Sequence, residues 1–184
     1  MNAKNTTTAK PNRGGSVWRA PLGTELPTTA TEELDEEFVE LGYCGDDGIT
    51  EEISTETQDF TAWGGDTVDS EITSKTVTVK MKLIEALNVN TLKAVFGEEN
   101  VTGDLTNGIH VKINTKDVEE SSWVIDMIMR DNTIERIVIP DVKLSELGEI
   151  AYKHDEQVGF EVTLKALVDE NGDAQHKYIK KVTA

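Results

Sequence analysis

Hydrophobic and polar positions alternate most regularly between Ile72 and Ile84. Val77, Val79, Met81 and Leu83 fall on one face there, and Thr76, Thr78, Lys80 and Lys82 on the other. A period of two marks a strand with one buried face. The period then changes. Leu92, Val95 and Phe96 fall at helical spacing, Asn88 or Asn90 is a candidate N-cap, and Gly97 stands where a helix would end. One short helix over 88–97 is expected, with its apolar face on the sheet.

Strand patterns recur on both sides of this helix. Ser16 to Arg19 starts a short strand that Pro21 stops, and after Asn107-Gly108 further strands are expected at Ile109 to Asn114, Ser122 to Arg130, Ile134 to Ile139, Val158 to Val168 and Gln175 to Val182. Asp131-Asn132 and Asn171-Gly172 read as hairpin turns between them. Consecutive strands with short turns predict an antiparallel β-sandwich or barrel flanked by one short α-helix.

Two stretches lack a buried face. Residues 1–15 are rich in Thr, Asn, Lys, Pro and Gly without apolar periodicity, and read as a flexible N-terminal arm ahead of a single domain over 16–184. Ile49 to Phe60 is polar, Thr-rich and only weakly alternating, preceded by Gly45-Asp46-Asp47-Gly48 as a turn signal. Two polar faces point to an exposed, extended hairpin arm over 42–73. The run Thr31 to Glu37 is either a helical turn or an acidic loop.

Charge sharpens this picture. The chain of 184 residues carries a net charge of −17, against simple charge-driven binding to nucleic acid. From Ala20 to Ser74 there are 16 acids and no Lys or Arg, so the acidity belongs to one segment while the rest is close to neutral. A merely solvated face usually mixes both signs, although acidic loops also serve solubility alone. Aromatics make up only 5% of the residues, a lean core that fits a subunit finished by assembly. Cys44 is the only cysteine, which excludes an internal disulfide and fits production in a reducing cytoplasm. No apolar run approaches the ~20 residues of a membrane span, and the polar start has no signal-peptide pattern.

Nothing in the pattern demands catalysis or a cofactor. His110, His154 and His176 lack a metal-ligand spacing and read as strand or surface residues, and Cys44 has no local base to activate it. Asp46-Asp47-Gly48 and Asp169 to Asp173 resemble pieces of calcium loops without the full spacing, so turn chemistry explains them. Trp63-Gly64-Gly65-Asp66 has no Lys and no helix start to hold a phosphate, and reads as a sharp bend.

One ordered set of short segments carries a resemblance. Gly15 to Thr24 with Leu26-Pro27, Phe38 to Tyr43, Asp47 to Thr50, Ala62 to Asp66, Leu83 to Asn88, Val95 to Gly97 and Asn100-Val101 occur in the order in which the tail tube proteins of siphophages carry them. Siphophages are bacteriophages with long, non-contractile tails. The resemblance implies a structural virion protein, made in the host cytoplasm, that forms hexameric rings stacked into a tube. Strands of all six subunits would form an inner barrel through which DNA passes without specific binding. The tape-measure protein, the tail terminator and the distal tail and tip proteins are the implied partners. A long hairpin supplies axial contact in that family, which makes Tyr43, Asp47, Trp63, Gly64, Gly65 and Asp66 candidates for inter-ring contact. The acids on strand-like stretches, Glu37, Glu40, Glu51, Glu52, Glu56 and Asp59, are candidates to line the lumen. The rival reading is a decoration or adhesin-type β-sandwich module. A carboxylate-based hydrolase drawing on Glu51, Glu52, Asp59 or Asp66 comes third.

Overall fold

The computed structural model describes residues 2–12 and 15–182. Its strands are β1 (Lys10–Pro11), β2 (Val17–Pro21), β3 (Val39–Glu40), β4 (Cys44–Thr61), β5 (Thr67–Leu83), β6 (Val101–Asp104), β7 (Gly108–Val111), β8 (Ser121–Ile128), β9 (Thr133–Leu147), β10 (Phe160–Leu167) and β11 (His176–Lys181). The helix α1 (Val89–Phe96) follows β5. Every pairing is antiparallel, and the main path runs β3-β2-β8-β9-β10-β5-β4. β1 joins β8, β11 joins β9, and β6 with β7 form a separate two-stranded sheet.

β9 makes the fold a sandwich. Its first half lies between β8 and β11, while its second half, Asp141 to Leu147, pairs with β10. The path passes from one layer to the other along this strand and stays open at both ends, so no barrel closes. The buried face of β5 is the expected one: Val77, Val79, Met81 and Leu83 meet Val162 and Leu164 of β10, Ile137 and Ile139 of β9, and Trp123 and Ile125 of β8. β9 also runs further than the pattern of Ile134 to Ile139 predicts, through Pro140. Proline cannot donate to a ladder, and the register of β8 shifts opposite it, between Ser121 and Trp123. The Ser122 hydroxyl donates to the Pro140 carbonyl at 2.7 Å within that irregularity.

The intervening residues of β8 and β9 face outward into a second, smaller cluster. Val124, Val138, Ala20 and Phe38 are buried there under Leu26 and Leu34 of the loop between β2 and β3. This loop contains Thr31 to Glu37, which forms turns and no helix. Arg136 explains the choice, because its guanidinium takes the carbonyls of Thr29 (3.3 Å) and Glu32 (2.7 Å), removing those acceptors from any helical ladder.

α1 begins at Asn88, whose side chain accepts the Asn90 amide at 3.0 Å, so Asn88 and not Asn90 is the cap. Thr91, fully buried, donates its hydroxyl to the Leu41 carbonyl at 2.6 Å and ties the helix to the end of β3. Leu92 and Val95 are buried, and Phe96, half-buried, sits edge-on to Phe160 with centroids 5.6 Å apart. β7 is shorter than the pattern over Ile109 to Asn114 predicts, and its partner β6 has no clear pattern of its own. Gly103 permits their pairing, since a Cβ there would meet the Gly108 carbonyl oxygen at 2.0 Å.

Two expectations about loops change. Gly45 to Gly48 is not a turn before a strand but a bulge inside β4, between Cys44 opposite Leu83 and Ile49 opposite Met81. Gly48 at φ 74° allows the extra residues to loop out while the strand continues. Within residues 1–15, Lys10–Pro11 lies along Met127 and Ile128 of β8. Met1, Arg13 and Gly14 of that arm lie outside the described residues.

Candidate assembly surface

β4 and β5 pair from Cys44 opposite Leu83 to Thr61 opposite Thr67. Only the root of this hairpin is supported by the body, because β10 accompanies β5 no further than Ala166 opposite Val77. Beyond that point every residue of β4 is exposed. Cross-strand bonds alone hold the ribbon there, with a second bulge at Thr73, whose hydroxyl donates to the Glu56 carbonyl at 3.2 Å. The end closes over Ala62 to Asp66, where the Ala62 amide donates to the Asp66 carbonyl at 2.8 Å and Gly64 and Gly65 take positive φ. Trp63 occupies this turn with its side chain wholly in solvent.

The inter-ring candidates therefore divide between two ends. Trp63, Gly64, Gly65 and Asp66 form the tip, while Tyr43 and Asp47 lie at the root, Tyr43 with its amide donating to Glu85 at 3.1 Å. The lumen candidates divide as well. Glu40 is in β3 opposite Trp18, and Glu37 precedes it, accepting the Thr24 hydroxyl at 2.7 Å. Glu51, Glu52, Glu56 and Asp59 are in β4, at the other end of the strand path. Along β4 they alternate, so Glu51 and Asp59 fall on one face of the ribbon and Glu52 and Glu56 on the other. Glu51 holds Gln175 and Lys177 beside β11, Glu52 stands 3.5 Å from Lys80, and Glu56 accepts the Ser74 hydroxyl at 3.0 Å. Within one chain these acids do not make a continuous wall.

A groove of about 1100 Å³ at the root of the hairpin escaped the sequence reading. Tyr43, Leu87, Leu105, Ile113 and Tyr152, all exposed, line it together with Phe96 and Phe160. The signal was present as isolated large apolar residues in polar loops, but nothing local says that loops as distant in the chain as those of Tyr43 and Tyr152 converge.

Groups suited to chemistry are occupied by structure. Asp169, Asp173 and His176 bring one ligand atom each within 4.8 Å of one another. The Asp169 carboxylate, however, already accepts the amides of Asp173 (2.9 Å) and Asn171 (2.8 Å), which with the first leading hold it below its ordinary range. Burial pushes the Cys44 thiol up to about 11, so it stays protonated and a poor nucleophile.

An open strand path, a polar ribbon and an exposed apolar groove describe a subunit with unsatisfied surfaces. A family model described as phage tail tube protein matches residues 1–184. The chain belongs to the phage tail tube protein family. No curated relative matches it. Membership makes it a structural component of the virion tail, made in the host cytoplasm and assembled with other tail proteins into a tube.

Proposed function

We propose that this tail tube protein closes into hexameric rings through its sheet edges and stacks them through the β4–β5 hairpin, forming a tube that conducts viral DNA into the host. The reading is supported best by the open strand path, which leaves β3 and the long β4 each with one unpaired edge. A long exposed edge in a lone chain invites aggregation, and a repeated edge-to-edge contact whose rotation closes turns that hazard into a ring. The inner barrel arises from these joined strands. The tape-measure protein, the tail terminator and the distal tail and tip proteins meet the tube along its bore and at its two ends. The subunit has a structural role with no catalytic step and no cofactor.

Ring closure also gives the divided acids a common place. A contact of β3 on β4 of the next subunit gathers Glu37 and Glu40 with Glu51, Glu52, Glu56 and Asp59. The wall so formed offers phosphates no cationic foothold, and each missing Lys or Arg contact removes a salt-dependent attraction that would slow transit. At a Debye length of about 8 Å the wall repels only DNA that comes close, so the channel stays open.

Electron microscopy of concentrated protein tests the assembly: hollow tubes of constant diameter are expected. Protein that stays monomeric even with its tail partners present supports a decoration or adhesin-type module instead. Reversing the acids in pairs to Lys, in tubes that still form, should slow DNA ejection and make it salt-dependent. Unchanged ejection for every pair leaves solubility as their role.

A further inference from the structure

Trp63 at the hairpin tip is 107% exposed, and Phe60, Val68 and Ile72 are exposed along the same ribbon. An indole buries roughly 150–250 Å² when it docks, and standing in water it adds nothing to the stability of its own chain. The groove at the hairpin root has the complementary character. Tyr43, Leu87, Leu105, Ile113 and Tyr152 expose apolar surface around a cleft floored by Phe96 and Phe160. Its one acid among the described lining residues, Glu85, is engaged by the Tyr43 amide at 3.1 Å and the Asn88 side-chain amide at 3.0 Å.

The two features cannot meet within one chain. Tip and root are separated by the 17 residues of β5, roughly 55 Å of extended ribbon at about 3.3 Å per residue. They can meet between copies related by a shift along that ribbon. Charge favours the match. From Cys44 to Ser74 the ribbon carries no Lys or Arg, with Asp59, Asp66, Asp69 and Glu71 nearest its tip. Next to the groove stand Lys112, beside Ile113 and without an acidic partner among the described residues, and Lys153, beside Tyr152 but already paired with Glu156 at 2.7 Å, so Lys112 is the cation left to meet the tip.

We propose that the groove at the hairpin root is the receptor for the hairpin tip of a second copy of this chain, with Trp63 as the anchor. This rests on the stacking reading above and names the surface that receives the arm. Tip-in-root contact is head-to-tail, and because its repeat is a shift along the ribbon and not a closing rotation, it continues along one direction. A tube needs such a contact along its axis, and the contact gives every ring the same polarity.

Cross-linking in the full-length protein tests it. In a Cys44→Ser background, Trp63→Cys combined with Ile113→Cys should form a ladder of disulfide-linked chains in tubes after mild oxidation, and none in dilute monomer. Trp63→Cys alone should form no ladder. Trp63→Ala should raise the concentration needed for tube formation by at least about tenfold, as expected for an aromatic anchor. The melting temperature of the monomer should not move, because the side chain is wholly exposed there. Tubes that form at the wild-type concentration with Trp63→Ala, and with no ladder from the double cysteine variant, would overturn the receptor while leaving the stacking reading standing. Wild-type protein that forms neither rings nor tubes with its tail partners present would overturn both.

Discussion

Asp126 and Arg136 face each other across β8 and β9 on the outer side of the sandwich, both nearly sealed from water. The guanidinium donates to both carboxylate oxygens, at 2.7 and 2.8 Å, and its Nη1 donates to the loop carbonyls of Thr29 and Glu32. A buried pair stabilises little against a well-packed apolar substitute, but removing one partner strands the other charge. Arg136→Ala is therefore expected to cost about 3–5 kcal/mol in urea unfolding of the monomer. Arg136→Met with Asp126→Leu should cost much less than the two single changes together; additive losses would show that the pair is not coupled. Glu98 presents a different case at the surface. Burial raises its pKa, but the hydrogen bond from Lys93 and the charges of Lys93 and Arg19 outweigh this and lower it. A carboxylate lowered in the folded state contributes stability above its unfolded pKa, near 4.5, and loses it as pH falls through the folded value. The stability difference between wild type and Glu98→Gln should accordingly be present at pH 7 and fade as the pH falls through the lowered folded-state value. A difference that persists there would assign the effect to packing.

The elements differ in how much of their stability is their own. α1 has eight residues, too few to be stable alone, and depends on its cap and its contacts with the sheet. Leu92 and Val95 are buried as their spacing predicts, whereas Phe96 is only half covered because it forms the floor of the groove. Phe96→Ala should thus cost about 2 kcal/mol, less than a sealed phenylalanine would. A cost above about 4 kcal/mol in monomer unfolding would mean that the ring is sealed and the groove closed in solution. The hairpin is the reverse case, an element whose distal half has no apolar support in the chain. Its polar, two-sided pattern was legible in Ile49 to Phe60. What was not legible is that Gly45 to Gly48 lies inside β4 as a bulge, where local turn chemistry yields to pairing with β5.

At the scale of the molecule, the two hydrophobic clusters are opposite faces of the same strands. Trp123 and Ile125 of β8 point into the larger cluster and Val124 between them into the smaller, as do Ile137 and Ile139 of β9 around Val138. Neither cluster can come apart without the strands that carry the other. Thermal unfolding should therefore be one transition, with coincident curves from Trp18 beside the smaller cluster and Trp123 in the larger, each followed after replacing the other tryptophans with Phe. Separate midpoints would show the outer loop and its cluster melting by themselves.

Most of the strands, the presence of the helix, the Asp131-Asn132 turn and the polarity of the arm were written into the sequence. Each depends on periods of two or 3.6 or on the φ that one or two residues tolerate, and these are local properties. The family resemblance was legible for the same reason, as short segments in a fixed order. Tertiary structure alone decided that β9 would cross between layers, that Arg136 would hold the acidic loop out of a helix, and that β3 and β4 would end the strand path and part the acids between them. It also decided that Tyr43, Leu105, Ile113 and Tyr152 would meet in one groove. Those outcomes depend on which strands become neighbours, and that is settled by joint burial of residues far apart in the chain, which no local pattern records.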